Sequence, residues 1–363
     1  MSTRTGIYYW KCDRPAAFHG TDGAAAGGEL TMAAQLERSL RNRFGDDGIC
    51  VRSAGGQGNH RTYLAEMGAT PAFIRVEDGP EHDDYFDVEA VILDEIRARQ
   101  IPAPLHLGSD TSREQTSFAW QVLERIQAPD LNQLLKAGRL PLEQLAGKIG
   151  ELVACWQGIA PTGFGPLDAS EARRTCALQG LHSDYPAYFY LNLERHLSFL
   201  ADKEFLTSGC VREILAEVQE HEKLLYLEEG CLVHKDLALW NILGTTTEIL
   251  AVIDWDDAIS GDPLDDISLL ACFYGGSVIR GALDGYSAVR PLPTEYRRRF
   301  WLHLLRNMLV KAVIRVGAGY FDRKADFFLI GPGANGQDLR SFTLQRIQEA
   351  VNGLRNDIDP GHL

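Results

Sequence analysis

Four polar residues in the segment 231–257 have types and spacing that could do chemistry. His234, Asp236 and Asn241 form the pattern H-x-D-x-x-x-x-N, and Asp254 follows a run of four apolar residues. Carboxylate and amide oxygens are hard ligands of the kind that Mg²⁺ takes together with phosphate oxygens and water. If folding brings these oxygens together, the segment predicts a site for Mg²⁺ and a phosphate-bearing ligand.

The residues between Asn241 and Asp254 predict a β-hairpin, because two short apolar runs flank a Gly-Thr-Thr-Thr turn segment. A hairpin centred near Thr247–Glu248 places Asn241 directly opposite Asp254. Directly opposed side chains share one face of a hairpin, with Cβ atoms roughly 4.5–5.5 Å apart. Asp236 can reach the same point from the preceding loop, so we expect all three oxygens to converge.

The motif and its continuation resemble the catalytic segment of the protein-kinase-like phosphotransferases. The resemblance is strongest to the aminoglycoside phosphotransferases and their small-molecule kinase relatives (choline, homoserine, methylthioribose and fructosamine kinases), in which H-G-D-x-x-x-x-N precedes I-D-W/F. Here Ile253-Asp254-Trp255 and the G-D-P-x-x-D run at 261–266 match that continuation. The resemblance implies that Asp236 accepts the proton of the substrate hydroxyl, and that Asn241 and Asp254 hold Mg²⁺.

The same resemblance implies an α+β, protein-kinase-like two-lobe fold, with a small antiparallel β-sheet in the N-lobe and a mainly helical C-lobe. We expect an N-terminal extension and helix (1–45), a nucleotide-binding N-lobe (46–127) and a helical C-lobe with the catalytic loop and substrate site (128–363). The hydrophobic pattern predicts helices over 29–44 and 84–100. Five short strands are expected, around residues 49–53, 62–67, 72–76, 104–107 and 117–123.

A glycine-rich stretch between two of these strands is a candidate nucleotide-binding loop. Ala54-Gly55-Gly56-Gln57-Gly58-Asn59 resembles the family's G-G-x-S-N loop, with Gly58 in the serine position. Glycines without a Cβ let backbone N–H groups approach phosphate oxygens closely. We assign Gly55, Gly56, Gly58 and Asn59 to nucleotide binding, with a plain hairpin turn as the alternative.

Arg75 occupies the strand position at which kinases carry the lysine that contacts the nucleotide phosphates. A guanidinium group keeps its charge and can bind two phosphate oxygens at once. The resemblance implies a carboxylate partner on the following helix, for which Glu89 is the first choice and Glu95 the alternative. An exposed Arg–Glu pair with no role in binding is the competing interpretation.

The segment from Val122 to Gln127 resembles the family's connection between the two lobes, whose backbone groups can hydrogen-bond the edge of adenine. By this analogy alone we assign Glu124 and Ile126 to nucleotide binding.

Several neighbours of the motif have an expected role. We expect His234 and Asp266 to brace the catalytic loop rather than to act on the substrate. Lys235 replaces the usual glycine of the motif, and we expect it to project into solvent, with contact to the γ-phosphate as the alternative. Four further carboxylates could line an acidic substrate cleft or belong to a solvated loop: Asp256, Asp257, Asp262 and Asp265.

The composition and net charge of the chain limit the kinds of partner that it can have. The chain has 363 residues and a formal net charge of −14, which argues against nucleic acid or an anionic membrane as a partner and is compatible with a cationic substrate. Seven scattered cysteines without a C-x-x-C pair indicate reduced thiols rather than disulfides or a zinc site. We also find no signal peptide and no apolar run long enough to span a bilayer, so we expect a cytoplasmic protein.

These observations predict a phosphotransferase that uses ATP (or GTP) and Mg²⁺ to phosphorylate a hydroxyl of a small molecule. The F-x-R-V strand, the helix ending in P-x-P and the A-V-I-D-W segment are similar to the hygromycin-type antibiotic phosphotransferases, which makes antibiotic resistance the leading hypothesis. A metabolic kinase for a sugar, amino alcohol or amino acid is the alternative. A nucleotide-binding pseudokinase is disfavoured because Asp236, Asn241 and Asp254 are all present.

Overall fold

The computed structural model describes residues 26–55, 60–68, 70–79, 82, 84–323, 329–330 and 334–363. The predicted glycine-loop residues Gly56, Gly58 and Asn59 lie outside the described residues, whereas Gly55 lies within them.

A five-stranded antiparallel sheet and two helices form a small lobe. The strands are β1 (Arg52–Ser53), β2 (Arg61–Met67), β3 (Thr70–Glu77), β4 (His106–Asp110) and β5 (Ala119–Glu124), in the spatial order β1-β2-β3-β5-β4. The helices are α1 (Ala26–Phe44) and α2 (Tyr85–Ala98). Both helices and the five strands are found where the sequence predicts them, although β1 is shorter than expected and β4 begins and ends two to three residues later.

Alternation along β3 decides which side chains face the site. Successive residues of a strand point to opposite faces of a sheet. Ala72, Ile74 and Val76 are fully buried in an apolar cluster that also includes Leu36 of α1. Arg75 therefore lies on the other face of the sheet, the face toward α2 and the remainder of the protein.

The rest of the chain forms a large lobe that is mainly helical. Its helices are α3 (Leu131–Lys136), α4 (Leu142–Trp156), α5 (Ala169–Thr175), α6 (Tyr185–Phe189), α7 (Leu193–Asp202), α8 (Ser208–Glu220), α9 (Asp265–Leu270), α10 (Gly276–Val289), α11 (Tyr296–Gly317) and α12 (Gly336–Asn356). Its strands are β6 (Phe164–Leu167), β7 (Gly180–His182), β8 (Cys231–Val233), β9 (Ile242–Gly244), β10 (Ile249–Val252) and β11 (Ile259–Gly261).

Short strands of the large lobe frame the catalytic motif. Strands β6, β7, β8 and β11 form a four-stranded sheet in the order β7-β6-β11-β8, and β9 and β10 form a hairpin. The motif lies between β8 and β9, so both of its ends are fixed by strand pairing. The largest apolar cluster runs from α2 through the large lobe, and it surrounds these strands with buried side chains.

Among the helices of the described segments, none is both long enough and apolar enough to cross a membrane.

Candidate active site

Asp236 and Asn241 are joined directly. The Asn241 side-chain Nδ2 donates to the backbone oxygen of Asp236 at 2.8 Å and to the carboxylate Oδ2 of Asp236 at 3.0 Å. Asn241 closes a short 3-10 helix, Leu239–Asn241, that leads straight into β9. Because the Nδ2 hydrogens are directed at Asp236, the amide oxygen of Asn241 is the atom that can bind a cation.

His234 and Asp266 hold this loop from behind. His234 is fully buried, its Nε2 lies 2.9 Å from the carbonyl oxygen of Ile253, and its Nδ1 accepts the backbone N–H of Asp236 at 3.2 Å. The Asp266 carboxylate accepts the backbone N–H groups of His234 at 3.0 Å and Lys235 at 3.1 Å. Burial raises the pKa of Asp266. The expected bracing role of both residues is confirmed by these contacts.

The predicted register of the hairpin is wrong by one residue. The backbone N–H of Ile253 donates to the carbonyl of Asn241 at 3.0 Å, so Asn241 lies opposite Ile253 rather than opposite Asp254. The physical reason is the position of the turn: Gly244 pairs with Ile249 rather than with Ala251, and an irregularity between Ile249 and Ala251 recovers only one of these two residues. Asp254 consequently lies just beyond the paired strands.

Asp254 leaves the hairpin in the left-handed conformation, with φ 69° and ψ 57°. Aspartate adopts this region more readily than most residues with a Cβ. Its carboxylate is one-third exposed, and Oδ1 accepts a hydrogen bond from Nη2 of Arg75 at 2.7 Å. The Asp254 side chain therefore connects the large lobe to the small sheet.

Arg75 also pairs with Glu89 on α2, the first choice of the sequence analysis. Nη1 of Arg75 lies 2.5 Å from Oε2 of Glu89, and the other oxygen of Glu89 accepts the backbone N–H of Trp255 at 2.9 Å. Arg75 and Glu89 are buried, so the interpretation as an exposed pair is wrong. The alternative partner, Glu95, is bound to Arg99 on the surface instead.

The charge of Arg75 is maintained by its neighbours. Burial works against the charged form, but Glu89, Asp254 and Asp256 together raise the pKa of Arg75 above its usual value. A permanently charged guanidinium between two lobes is suited to binding phosphate oxygens.

His60 and Asp256 also belong to this cluster. The sequence analysis did not consider His60, and it offered Asp256 only as part of an acidic cleft or a solvated loop. Nδ1 of His60 lies 3.0 Å from Nη2 of Arg75, and Nε2 lies 3.3 Å from Oε2 of Glu77 and 3.7 Å from Oδ2 of Asp256. A guanidinium group can only donate, so Nδ1 of His60 accepts. The only signal in the sequence was proximity, since His60 follows the glycine-rich stretch and Asp256 follows Asp254 by two positions.

Lys235 does not project into solvent, so the expectation for this residue is wrong. Its side chain is buried, and Nζ lies 2.8 Å from Oδ2 of Asp265 and 2.8 Å from the amide oxygen of Asn307 on α11. The backbone at Lys235 has φ 68°, in the region that glycine adopts without strain. The backbone shape suited to the family's glycine is thus retained here, and the side chain turns inward to a carboxylate.

Of the two interpretations offered for the four neighbouring carboxylates, the solvated loop is wrong for all four, and the acidic substrate cleft is wrong for two. All four are buried, which excludes a solvated loop. Asp262 is bound by Arg299 at 2.6 Å and Asp265 by Lys235, so these two do not line an acidic substrate cleft. Burial alone would raise the pKa of Asp262, but His303 and Arg299 lower it to about 2.

The proposed adenine-binding segment lies at the end of β5. The backbone N–H of Glu124 donates to the carbonyl of Leu105 at 2.8 Å, and its side chain accepts the N–H of Leu105 at 3.1 Å. Ile126 is half-buried two residues later. Gly55 has φ 66° and its carbonyl accepts the hydroxyl of Thr62 at 2.6 Å. The roles of these residues in nucleotide binding stay predictions.

Helix α11 contributes a residue that the sequence analysis missed. Nζ of Lys311 lies 2.9 Å from Oδ1 of Asp236, and both side chains are mostly buried. A signal for it exists in the sequence. Polar residues recur at every fourth position of this helix, a spacing that makes each the neighbour of the next in a slowly winding stripe: Arg299, His303, Asn307, Lys311 and Arg315.

Two sets of side chains could hold Mg²⁺, and the set formed by Asn241 and Asp254 fits it better. Asn241 and Asp254 offer the hard oxygen atoms that Mg²⁺ prefers. Ligand atoms of His60, Asp254 and Asp256 also lie within 4.8 Å of one another. Asp254 belongs to both sets, but Arg75 lies within 3.5 Å of all three residues of the second set, so its positive charge opposes a cation held by that set alone.

Comparison with known proteins gives both fold and family. The chain is similar to the solved structure of aminoglycoside phosphotransferase APH(4)-Ia, a thermostable mutant in its apo form, with 18% identity, a TM-score of 0.62 and coverage of 87% of this chain and 98% of that chain. It is also similar to macrolide 2'-phosphotransferase MphH from Brachybacterium faecium, with 15% identity, a TM-score of 0.55 and coverage of 91% and 99%.

A proposed fructosamine-3-kinase from Haemophilus somnus 129PT shares 15% identity and a TM-score of 0.57, covering 88% of this chain and 97% of that chain. These likenesses confirm the expected protein-kinase-like α+β fold with two lobes. No curated protein sequence matches the chain.

The model of the phosphotransferase enzyme family matches residues 51–301, which include β2 to β5, the catalytic motif and the first residues of α11. The match spans more than half of the chain. This protein therefore belongs to the phosphotransferase enzyme family.

Proposed function

We propose that this protein transfers the γ-phosphoryl group of ATP (or GTP), with Mg²⁺, to a hydroxyl group of a small molecule in the cytoplasm. The observation that carries the proposal is the convergence of three residues of one segment with Arg75, which is 179 residues away from Asp254 in the chain. Asn241 bonds to Asp236, Asp254 follows directly after the residue that pairs with Asn241, and Arg75 bonds to Asp254 from the other lobe.

The small lobe binds the nucleotide in this proposal. Arg75, held by Glu89, faces the cleft and donates to phosphate oxygens. Gly55, Gly56, Gly58 and Asn59 supply backbone N–H groups to the phosphates, and Glu124 and Ile126 supply backbone groups to the base. The buried position of the Arg75–Glu89 pair supports this role, because a buried charged pair at a cleft holds a donor in one orientation.

Asn241 and Asp254 hold Mg²⁺, which when bound supplies positive charge against the phosphate oxygens. The amide oxygen of Asn241 and the exposed part of the Asp254 carboxylate are the donor atoms. The bond from Asn241 to Asp236 keeps the amide oxygen directed away from the base.

Asp236 orients the acceptor hydroxyl and takes its proton. The phosphoryl transition state is loose, so the protein mainly positions the reactants and neutralises charge. The Asn241 bond and the bracing of the loop by His234 and Asp266 fix the Asp236 carboxylate in place. A positioned base of this kind contributes typically 10²–10⁴-fold to the rate.

For the acceptor, we propose an aminoglycoside-like antibiotic. The support is the similarity to APH(4)-Ia over 88% of this chain, including a form described as a ternary complex with ADP and hygromycin B. The net charge of −14 is compatible with a cationic acceptor. A metabolic hydroxyl kinase is the second candidate, and the similarity to a proposed fructosamine-3-kinase supports it.

Two substitutions test the assignment of base and metal ligand. Asp236→Asn is expected to leave the Kd for Mg·ATP unchanged and to lower kcat by about 10²–10⁴-fold, because only the proton acceptor is removed. Asp254→Ala is expected to abolish Mg²⁺-dependent nucleotide binding, measured by titration calorimetry with and without Mg²⁺. An Asp236→Asn enzyme with wild-type turnover would refute the role of the base.

The acceptor is tested by ATP consumption against a panel of aminoglycosides, amino alcohols, sugars and amino acids. Turnover confined to aminoglycosides, with reduced drug susceptibility in cells that carry the protein, supports the first candidate. Turnover confined to metabolites supports the second. Nucleotide binding without turnover of any acceptor, and without hydrolysis, contradicts the proposed transfer reaction.

A further inference from the structure

Resting on the proposed function, we propose that Lys311 is a further catalytic residue, which donates to the phosphoryl group as it passes to the acceptor. It lies outside the H-x-D-x-x-x-x-N motif and outside residues 51–301, the part of the chain that matches the family model. Helix α11 brings it to the catalytic loop, where Nζ is 2.9 Å from Oδ1 of Asp236.

The first step of the argument is the arrangement around one carboxylate. Oδ2 of Asp236 accepts from Asn241 at 3.0 Å, and Oδ1 accepts from Lys311 at 2.9 Å. A carboxylate oxygen has two lone-pair directions, so each oxygen can accept one further hydrogen. The acceptor hydroxyl must lie roughly 2.6–3.2 Å from this carboxylate to pass its proton. Nζ of Lys311 and the hydroxyl are then neighbours on the same group.

The second step is the position of the phosphoryl group. In a reactive arrangement the attacking oxygen and the phosphorus atom are about 3–3.5 Å apart. A phosphoryl group in line with that hydroxyl places its oxygens beside the Asp236 carboxylate, within reach of the Lys311 ammonium group. An ammonium group has three donors, so Lys311 can retain Asp236 and also donate to a phosphoryl oxygen.

The third step is the rigidity of the helix that carries Lys311. One turn earlier on α11, Asn307 binds Lys235 at 2.8 Å and Asp265 at 2.8 Å, of which Lys235 belongs to the catalytic loop and Asp265 begins α9. Lys311 is itself only 11% exposed and lies 5.8 Å from the centre of the Phe273 ring. The cation is therefore held in position before any substrate binds, which is the condition for electrostatic stabilisation of a transition state.

The fourth step concerns the balance of charge. Arg75 contacts the carboxylate of Asp254, whereas Lys311 contacts that of Asp236. The proposed metal ligand and the proposed base therefore each have one cation beside them. As the acceptor oxygen bonds to phosphorus, the bond from phosphorus to the β-phosphate oxygen breaks and ADP leaves. The hydroxyl proton goes to Asp236, and Lys311 offsets the negative charge of the phosphoryl oxygens.

The test compares Lys311→Met, Lys311→Arg and a control on the same helix, Arg297→Met. Arg297 is 44% exposed, and it lies 14 residues earlier, roughly 21 Å along the helix. Initial rates are measured with the acceptor that the panel identifies and, without acceptor, as ATP hydrolysis by water. Nucleotide affinity is measured by titration with Mg·ADP, and folding by thermal unfolding.

We expect Lys311→Met to lower kcat by about 10²–10³-fold, with the Kd for Mg·ADP and the KM for ATP changed less than threefold. Lys311→Arg should recover at least tenfold of that loss, because it restores a donor and a charge. Arg297→Met should match the wild type. The split between kcat and nucleotide affinity, with rescue by arginine, distinguishes a contact to the phosphoryl group from a merely structural ion pair.

A kcat for Lys311→Met within threefold of the wild type would overturn the proposal. So would equal losses in the methionine and arginine variants accompanied by equally early unfolding, since that pattern describes an ion pair needed only for folding. A wild-type protein with neither nucleotide binding nor hydrolysis would instead contradict the proposed function, and the two failures are therefore distinguishable.

Discussion

At the scale of single residues, Lys235 is the departure from the family motif with the clearest physical consequence. A residue with a Cβ in the left-handed region costs roughly 1–2 kcal/mol relative to glycine. Here the side chain gains a buried ion pair with Asp265 and a hydrogen bond to Asn307 in exchange. The catalytic loop is consequently tied to α9 and α11 through a side chain that the family's glycine does not have.

Removing this side chain should destabilise the protein. Lys235→Ala leaves Asp265 buried without its cation, which typically costs about 3–5 kcal/mol in the free energy of unfolding. Lys235→Gly should be less damaging by roughly 1–2 kcal/mol, because glycine relieves the left-handed backbone. Urea denaturation measures the free energy of unfolding of both variants. The double variant Lys235→Ala with Asp265→Asn should recover part of the loss, and a Lys235→Ala protein as stable as the wild type would contradict this account.

Single residues also show what a sequence can predict about a site. The spacing within one loop predicted that Asp236 and Asn241 would meet, and the resemblance to the kinase-like family predicted a helix carboxylate beside Arg75, with Glu89 as the first choice. Lys311 reaches Asp236 across 75 residues of chain, and no local rule connects them. Its polar stripe on α11 is visible in the sequence, but what the stripe faces is decided by tertiary packing.

At the scale of elements, the hairpin shows why the register of two strands is harder to predict than the presence of the strands. Gly-Thr-Thr-Thr between two apolar runs was sufficient to predict β9 and β10. The pairing of Gly244 with Ile249 and the irregularity between Ile249 and Ala251 were not predicted, because they depend on which backbone groups find partners once the strands pack. The resulting register differs from the predicted one by one residue, so Asp254 lies beyond the paired strands, where it adopts φ 69° and contacts Arg75 instead of standing opposite Asn241.

Helices α4 and α10 make a close backbone contact that depends on glycine. A Cβ added at Gly285 of α10 would overlap the carbonyl oxygen of Gly147 on α4, whereas a Cβ added at Gly147 would meet its nearest neighbour at 3.8 Å. These two positions form a matched pair, because they lie at the same interface but differ in the space around them.

We expect opposite effects from alanine at these two positions. Gly285→Ala should lower the free energy of unfolding by about 3 kcal/mol, since overpacking forces the helices apart. Gly147→Ala should be neutral or stabilising by roughly 0.5–1 kcal/mol, because alanine favours a helix interior over glycine. Chemical denaturation of both variants measures the difference. Equal stability of the two variants would show that the helices can separate without loss.

At the scale of the whole molecule, charged groups connect the two lobes at two places among the residues that the structure describes. Arg75 reaches Asp254 across the cleft, and Arg173 of α5 reaches Asp84 at 2.8 Å and Asp87 at 2.7 Å, beside and on α2. The first connection is mostly buried, while Arg173 is half-exposed and screened, so a pair of its kind contributes no more than about 1 kcal/mol. The resemblance to the phosphotransferase family predicted the two lobes, but these connections depend on the three-dimensional arrangement.

The stability of the whole fold should also depend on pH through a buried histidine of the large lobe. His196 on α7 is 4% exposed. Burial, together with the positive charges of Arg306 and Arg195, lowers the pKa of His196 to about 3. A histidine in an unfolded chain has a pKa of about 6.5. Between these two values the unfolded state binds a proton that the folded state does not.

The sign follows directly. Stability from this group is fully present above pH 6.5 and is lost as the pH falls toward 3, at about 1.4 kcal/mol per pH unit, or roughly 2–3 kcal/mol by pH 4.5. His196→Leu should reduce the slope of the unfolding free energy against pH over this window by about 1.4 kcal/mol per pH unit, which corresponds to one proton. Urea unfolding at several pH values measures this slope. His362→Leu, at an exposed histidine, should keep the wild-type slope. Parallel plots for His196→Leu and the wild type would mean that His196 is protonated in the folded protein, and that its burial does not control the acid stability of the large lobe.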